Sequence, residues 1–269
     1  MKKIRIAIIG CGRVAEHYKI ILKSGLVENF EIIGVCDKDI DKARNYSKYF
    51  KCEFFIDLEK MIKNTKPNLL LVLTPSGEHF NNAKMSLSMN CNTIVEKPIT
   101  MLSEQAEELN YIAEEKKLMF GVVYQNRFNP SIQYLKKELE NNNFGKIITA
   151  SIRLRWCRRQ DYYEDDWHGT WKQDGGVINQ QAIHHIDVMN WLLGPITEVC
   201  ATGGNIVNNL EAEDTMVAIV KFMNGSFGTI EATTGLRPKD HEASISIVGD
   251  NGIATIGGIA LNKIENWII

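Results

Sequence analysis

Ile4-Arg5-Ile6-Ala7-Ile8-Ile9, followed by Gly10-Cys11-Gly12-Arg13-Val14-Ala15, decides how the rest of the chain is read. The first six residues are an apolar run of strand length. The next six spell G-x-G-x-x-A, in which small residues let the backbone come close to a pyrophosphate. The segment from Val14 to Ser24 has helical spacing, and its N-terminal amides and positive dipole end would face phosphate oxygens. Glycines alone at such a place are compatible with a purely structural bend, so the context matters. A second strand, Glu31 to Cys36, ends in Asp37, 22 residues past Ala15, where a carboxylate accepts hydrogen bonds from an adenosine ribose. A dinucleotide site is therefore expected over Gly10, Gly12, Arg13, Val14, Asp37 and Lys38. Asp37 would repel a 2′-phosphate, which places NAD ahead of NADP. Lys38 is the neighbour that favours the alternative.

The same grammar continues for about 120 residues. Short apolar runs at 4–9, 31–36, 69–73, 92–95 and 118–123 alternate with amphipathic segments near 13–24, 39–50, 57–63, 78–90 and 103–117. Alternation of this kind predicts a parallel, doubly wound sheet whose ligands collect at the carboxyl ends of the strands. Past Tyr124 the pattern changes. A helix over Pro130 to Asn142 leads into alternating stretches at 146–156, 196–207, 214–222, 226–234 and 241–248. One helix interrupts them, Ala182 to Leu193, closed by Gly194-Pro195. Such strands predict a mostly antiparallel sheet with helices on one face and the other face open. The expected domains are residues 1–123 and 124–269.

Composition narrows the partners. A formal net charge of -2 argues against a nucleic-acid or anionic-membrane surface. No apolar run approaches the length of a membrane span, and Met1-Lys2-Lys3 leads into a strand rather than a signal peptide. The six cysteines are scattered without C-x-x-C spacing, which reads as reduced thiols in a cytoplasmic protein without structural zinc.

Three further stretches make the reading specific: Leu73-Thr74-Pro75-Ser76-Gly77-Glu78-His79 at the end of the 69–73 strand, Glu96-Lys97-Pro98 at the end of the 92–95 strand, and Gly175-Gly176-Val177-Ile178-Asn179-Gln180-Gln181-Ala182-Ile183-His184-His185-Ile186-Asp187 entering the isolated helix. In this order and spacing, over essentially the whole chain, they resemble the glucose–fructose oxidoreductase / inositol dehydrogenase / MocA family of nicotinamide-dependent sugar dehydrogenases. The resemblance implies an α/β protein with an N-terminal Rossmann domain and a C-terminal α+β domain with a large, mostly antiparallel open-faced sheet. It also implies a homodimer or homotetramer. Family members usually continue for some tens of residues beyond the point matching Ile269, so the chain reads as a short natural form or a truncated one. Arg153-Leu154-Arg155-Trp156-Cys157-Arg158-Arg159, Tyr162-Tyr163 and Asp166-Trp167-His168-Gly169-Thr170-Trp171 look like the branch that oxidises the 3-hydroxyl of UDP-N-acetylglucosaminuronate or a related UDP-amino sugar to a 3-keto sugar.

Oxidising a secondary alcohol needs a proton acceptor and a donor or cation for the developing alkoxide, held in a fixed geometry. Lys97, at a strand end beside Pro98, suits the cation, although a lysine in a turn is also an ordinary surface feature. His184 suits the base, since neutral imidazole takes a proton near physiological pH; the plain alternative is a core histidine. Asp187 lies three residues on and shares its helix face. His185 points elsewhere and is read as structural. His-His-x-x-Asp lacks a well-spaced third ligand, so no metal is expected. Glu96, Thr74, Pro75 and His79 are expected on the cofactor side. Lys97, Gln180, His184, Arg155 and Tyr163 are expected to meet the sugar. Arg155 would act through its bidentate fork on an oxyanion; its alternative is a solvated strand face.

Two positions depart from the family pattern. Gln180 stands where most members carry an acid, which puts a carboxylate–histidine pair in doubt. His168 stands where the branch usually shows Arg. Rival readings are a dehydrogenase of UDP-N-acetylglucosamine, inositol or another sugar, and a non-catalytic NAD- and sugar-binding regulator. The presence of both Lys97 and His184 weighs against the regulator.

Overall fold

The computed structural model describes residues 3–165 and 167–269. Met1 and Lys2, from the start read above, and Asp166, from the aromatic-rich stretch, lie outside the described residues. The chain divides into two units, Met1–Val123 and Tyr124–Ile269.

In the first unit, β1 (Ile4–Ile9), β2 (Phe30–Cys36), β3 (Glu53–Phe55), β4 (Leu69–Val72), β5 (Asn92–Val95) and β6 (Phe120–Val122) form one sheet. Its order is β3-β2-β1-β4-β5-β6, and every pair is parallel. The helices are α1 (Arg13–Lys23), α2 (Ile40–Phe50), α3 (Leu58–Thr65), α4 (His79–Ser88) and α5 (Ser103–Lys116). They cover both faces, which is why β1 is apolar at successive positions rather than alternating. Ile6 and Ile8 pack with Ala15 and Tyr46 on the α1 and α2 side. Ala7 and Ile9 pack with Met61, Leu87 and Leu109 of α3, α4 and α5. Aspartates start two of these helices: Asp39 accepts from the Asp41 and Lys42 amides, and Asp57 from the Lys60 amide. The short strand β3 was not expected.

Strand order reverses between β1 and β4, and there the chain leaves the sheet through Gly10. Gly10 has φ +91°, and a Cβ on it would stand 2.6 Å from the Leu73 carbonyl carbon and oxygen and 2.7 Å from the Thr74 nitrogen. Only glycine fits both the dihedral and the approach.

The second unit contains α6 (Pro130–Glu140), β7 (Ile147–Arg155), α7 (Ile183–Leu193), β8 (Ile196–Gly204), β9 (Thr215–Phe222), β10 (Phe227–Thr233), β11 (Glu242–Gly249), β12 (Gly252–Gly257) and β13 (Lys263–Ile268). The strands make a sheet of order β13-β12-β11-β7-β10-β9-β8. Only β7 and β10 run parallel; the other neighbours are antiparallel. Alternate residues on one face, including Ile152, Val220, Ile230 and Ile245, enclose a core with Ile132 and Leu135 of α6 and Val188, Met189 and Leu192 of α7. On the other face Val217, Ile219 and Phe227 remain 47%, 59% and 56% exposed. The strand expected over 196–207 stops at Gly204, because Asp214 draws the Ile206, Val207 and Asn208 amides onto its carboxylate at 2.8 to 3.0 Å.

Among the described residues no helix is long and apolar enough to cross a membrane, and no three His, Cys, Asp or Glu side chains group as metal ligands. Replacing Gly10 with Ala is expected to cost about 3 kcal/mol of stability through the close approach and the positive φ. Chemical denaturation of the variant beside the parent chain measures it.

Candidate active site

The first unit gathers its candidate residues at the carboxyl ends of β1, β2, β4 and β5. Helix α1 begins at Arg13 with Gly12 as N-cap, and no side chain caps its amides. Beyond its chain neighbours nothing lies within 4 Å of where a Cβ on Gly12 would stand, so uncapped amides and open space lie together at this helix start, the kind of place that accepts an anion. Val14 is exposed beside it. Asp37 is already oriented. Its Oδ2 accepts the Cys11 amide of the glycine turn at 2.7 Å, and its Oδ1 accepts the Asp39 amide at 2.8 Å. Lys38 leans instead to Glu78, 3.4 Å away at the surface.

The turn after β5 is tied on both sides. Glu96 Oε2 accepts the Lys97 amide at 3.1 Å, and Glu96 Oε1 accepts the Tyr18 hydroxyl at 2.8 Å. Glu96 therefore braces the Lys97 backbone from α1. Burial, then the Glu96 charge, push the Tyr18 phenol well above its ordinary pKa, so it stays a donor. Thr74 and Pro75 form the turn after β4. The Thr74 hydroxyl accepts from Asn82 at 3.2 Å, and Pro75 leads a 3-10 turn over Ser76–Glu78. His79 was expected to line a cofactor channel, and the structure corrects this. It is 1% exposed, with Nδ1 2.6 Å from the Pro98 carbonyl oxygen and Nε2 2.8 Å from that of Thr74. Burial holds its pKa below the usual imidazole range, against the pull of the two carbonyls.

In the second unit Gln180 and His184 come together on a single helical run. A π-helical turn, Ile178–Ala182, carries Gln180 buried and passes directly into α7, where His184 is half-buried. A π turn inside a helix is uncommon and re-aims the side chains around it. The entry is built on Gly176, at φ +77°, where a Cβ would overlap the Glu213 carboxylate. Glu213, 5% exposed, accepts the Ile178 amide at 3.2 Å, an anion placed at the start of the helical run. Burial raises its pKa above the usual carboxylate value. The rings of Tyr124 and His184 stand nearly perpendicular, 6.5 Å between centroids. Burial and then Asp187 push the Tyr124 phenol up to about 12, so it too remains a proton donor.

Asp187 is held by Arg127, whose Nε donates to Oδ2 at 2.7 Å while Nη2 donates to Oδ1. The Arg127 guanidinium also lies 5.7 Å from the Tyr124 ring and 5.6 Å from that of Trp191. His185 is enclosed. It lies edge-on to Trp156 at 6.0 Å, and burial pushes its pKa down to about 4, which makes it a neutral packing group.

Two expected sugar contacts lie elsewhere. Leu154 faces the helices and packs with Ala182 and Ile186, so its neighbour Arg155 points from the opposite, open face of the sheet. There Arg155 donates to Glu231 at 2.6 and 2.9 Å and to Glu242 at 3.2 Å. Its fork is filled by carboxylates, so it is not an oxyanion clamp. Tyr163 is buried, with its hydroxyl 2.8 Å from the Thr234 hydroxyl and its ring edge against Tyr162. It packs the loop and has no open face to offer a sugar. His168, where the branch usually has Arg, is a buried ring 2.6 Å from Asp165 and stacked on Trp167.

Tyr18, Tyr124, Arg127 and Glu213 were not singled out in the sequence. Tyr18 shows no motif, and Arg127 meets its partner 60 positions away.

Residues 4–124 match the family model described as an oxidoreductase family with an NAD-binding Rossmann fold, and residues 132–255 match the GFO/IDH/MocA C-terminal domain. The WlbA dehydrogenase of Chromobacterium violaceum, solved with NADH and UDP-GlcNAcA, is 33% identical, with a TM-score of 0.96 over 100% of this chain and 78% of that one. This chain belongs to the GFO/IDH/MocA family. The family's first unit is an NAD-binding Rossmann fold, and the chain is accordingly an NAD-binding oxidoreductase. A second family structure, the WlbA dehydrogenase of Bordetella pertussis with NADH and UDP-GlcNAcA, is 31% identical over 100% of this chain and 78% of that chain, with a TM-score of 0.95. A D-glucoside 3-dehydrogenase of Escherichia coli strain K12 is 25% identical over 94% of this chain and 77% of that protein.

Arg127→Leu leaves the largely enclosed Asp187 without its two-point partner and is expected to cost about 2 kcal/mol. Replacing both residues with Leu removes the stranded charge and is expected to recover part of that loss. Denaturation midpoints of the single and double variants measure the difference.

Proposed function

We propose that this chain oxidises the 3-hydroxyl of a UDP-linked amino sugar of the UDP-N-acetylglucosaminuronate type to a 3-keto sugar, with NAD as oxidant. The observation that carries this reading is the likeness, along the entire chain at 31–33% identity, to two dehydrogenases solved with NADH and UDP-GlcNAcA. The bound nicotinamide would supply a hydride acceptor. Gly10, Gly12, Arg13 and Val14 would hold the pyrophosphate through backbone amides, and Asp37 the adenosine ribose.

The remaining chemistry falls to the chain's own side chains. The Lys97 ammonium would donate to the reacting oxygen and steady it as negative charge develops. His184 would take the hydroxyl proton. Gln180 is an amide and would orient the sugar without offering a charge to the imidazolium, so the cation of Lys97 carries more of the alkoxide stabilisation. Glu96, with Thr74 and Pro75, would border the cofactor.

A second reading keeps this chemistry and changes the sugar. It draws on the likeness to a D-glucoside 3-dehydrogenase and on the engagement of Arg155 with Glu231 and Glu242, which removes one expected diphosphate contact. Purified protein with NAD and UDP-N-acetylglucosaminuronate is expected to yield NADH and a keto sugar. Turnover only with UDP-N-acetylglucosamine, an inositol or a glucoside would select the second reading. Lys97→Met is expected to lower kcat by at least ~100-fold while NAD binding changes by less than ~3-fold. An unchanged kcat would overturn the role of Lys97.

The proposed macromolecular partner is a second copy of the chain on the open face of the β8–β13 sheet, where Val217, Ile219 and Phe227 are exposed. Light scattering is expected to give a dimer or tetramer mass for the parent chain and a smaller species for Ile219→Glu.

A further inference from the structure

We propose that His79 is a positioning residue for Lys97, locking the Lys97-Pro98 peptide to the Thr74 turn from within the first unit. The proposal rests on the reading of Lys97 as the catalytic cation. Strands β4 and β5 are neighbours, and their last ladder bond runs from the Glu96 amide to the Val72 carbonyl at 3.0 Å. Beyond it the two turns leave the sheet, so nothing in the ladder fixes the distance between them. The His79 ring closes that gap, 2.6 Å from the Pro98 carbonyl oxygen on one edge and 2.8 Å from that of Thr74 on the other.

The ring stands on firm ground. It opens α4, which is anchored through Ala83 and Leu87 in the core, and at 1% exposure it is closed to solvent. A carbonyl oxygen only accepts, so the neutral ring donates to one of the two carbonyls and meets the other with a rigid edge, which spaces the two turns where a longer, flexible side chain would not. From the other side Glu96 accepts the Lys97 amide and is itself held by Tyr18. The lysine backbone is therefore gripped before and after its Cα, by α1 through Tyr18 and Glu96 and by α4 through His79. A flexible four-carbon stem delivers its ammonium accurately only from a fixed base, and a displacement on the order of 1 Å at a reacting group costs roughly 100-fold in rate.

The test compares His79→Leu, which keeps bulk and loses both nitrogens, with His79→Gln, which keeps an N–H donor. Three readouts are taken: kcat with UDP-N-acetylglucosaminuronate and NAD, the NAD dissociation constant, and hydrogen exchange across residues 93–101 relative to 4–9. For His79→Leu the expected result is a kcat lowered about 10- to 100-fold with NAD affinity changed less than ~3-fold. Exchange should quicken across 93–101 only, and His79→Gln should recover much of both effects. In a Lys97→Met background the His79→Leu change should cost no further activity, since it acts through the missing group.

A loss of NAD affinity as large as the loss of kcat would make His79 a cofactor contact and overturn the proposal, as would additive losses in the double variant. If the parent chain does not turn over this sugar, the function reading fails by itself, and exchange decides the present one: quickened exchange supports it and unchanged exchange overturns it. Should His79→Leu not fold, His79→Asn, which has the donor but not the span, takes its place with the same readouts and the same deciding outcomes.

Discussion

Everything in the first unit depends on one close approach: the backbone at Gly10 lies against the Leu73–Thr74 peptide with no room for a Cβ. That approach joins the carboxyl ends of β1 and β4, the neighbours between which strand order reverses. It brings the glycine turn beside the Thr74 turn, and one strand further on lies the turn of Lys97. A parallel sheet delivers all its strand ends to one edge, so residues far apart in sequence become neighbours without any long loop. The tight turn at Gly10 gives that edge its shape.

Much of the architecture was readable from the chain because its two sheets impose different periods. Strands buried on both faces, such as Ile4–Ile9, are continuous apolar runs, while strands open on one face, such as Thr215–Phe222, alternate. Segments with a weak period were missed. Glu53–Phe55 is three residues long, Gly252–Gly257 is flanked by glycines, and Lys263–Ile268 mixes polar and apolar residues as an edge strand does. Strand ends were less readable still. The early stop at Gly204 comes from the Asp214 carboxylate collecting three amides, a competition between side chain and ladder that no local pattern announces.

The candidate site was legible where backbone geometry leaves a mark on residue choice, as at Gly10, Gly12, Asp37 and the Glu96-Lys97-Pro98 turn. It was not legible where a partner lies far along the chain. That Asp187, on the helix face of His184, answers an arginine depended on Arg127, and whether Arg155 was a clamp or part of a strand face depended on Glu231 and Glu242. His79 shows the limit most clearly. A histidine four residues after a proline at a strand end fits a channel lining and a buried tie equally well, and only the two carbonyls beside its ring distinguish them.

The hydrogen bond from the Cys11 amide to Asp37 has a consequence for how this chain could evolve. The carboxylate proposed to discriminate between cofactors is also a strut of the turn proposed to cradle their phosphates. Exchanging it for a small or basic residue would remove the repulsion towards a 2′-phosphate and, in the same step, release the amide that braces the glycine turn. Cofactor preference is thus entrenched. A lineage leaving NAD would have to rebuild the support of Cys11 along with the charge at position 37, so the change is accessible only through coupled substitutions.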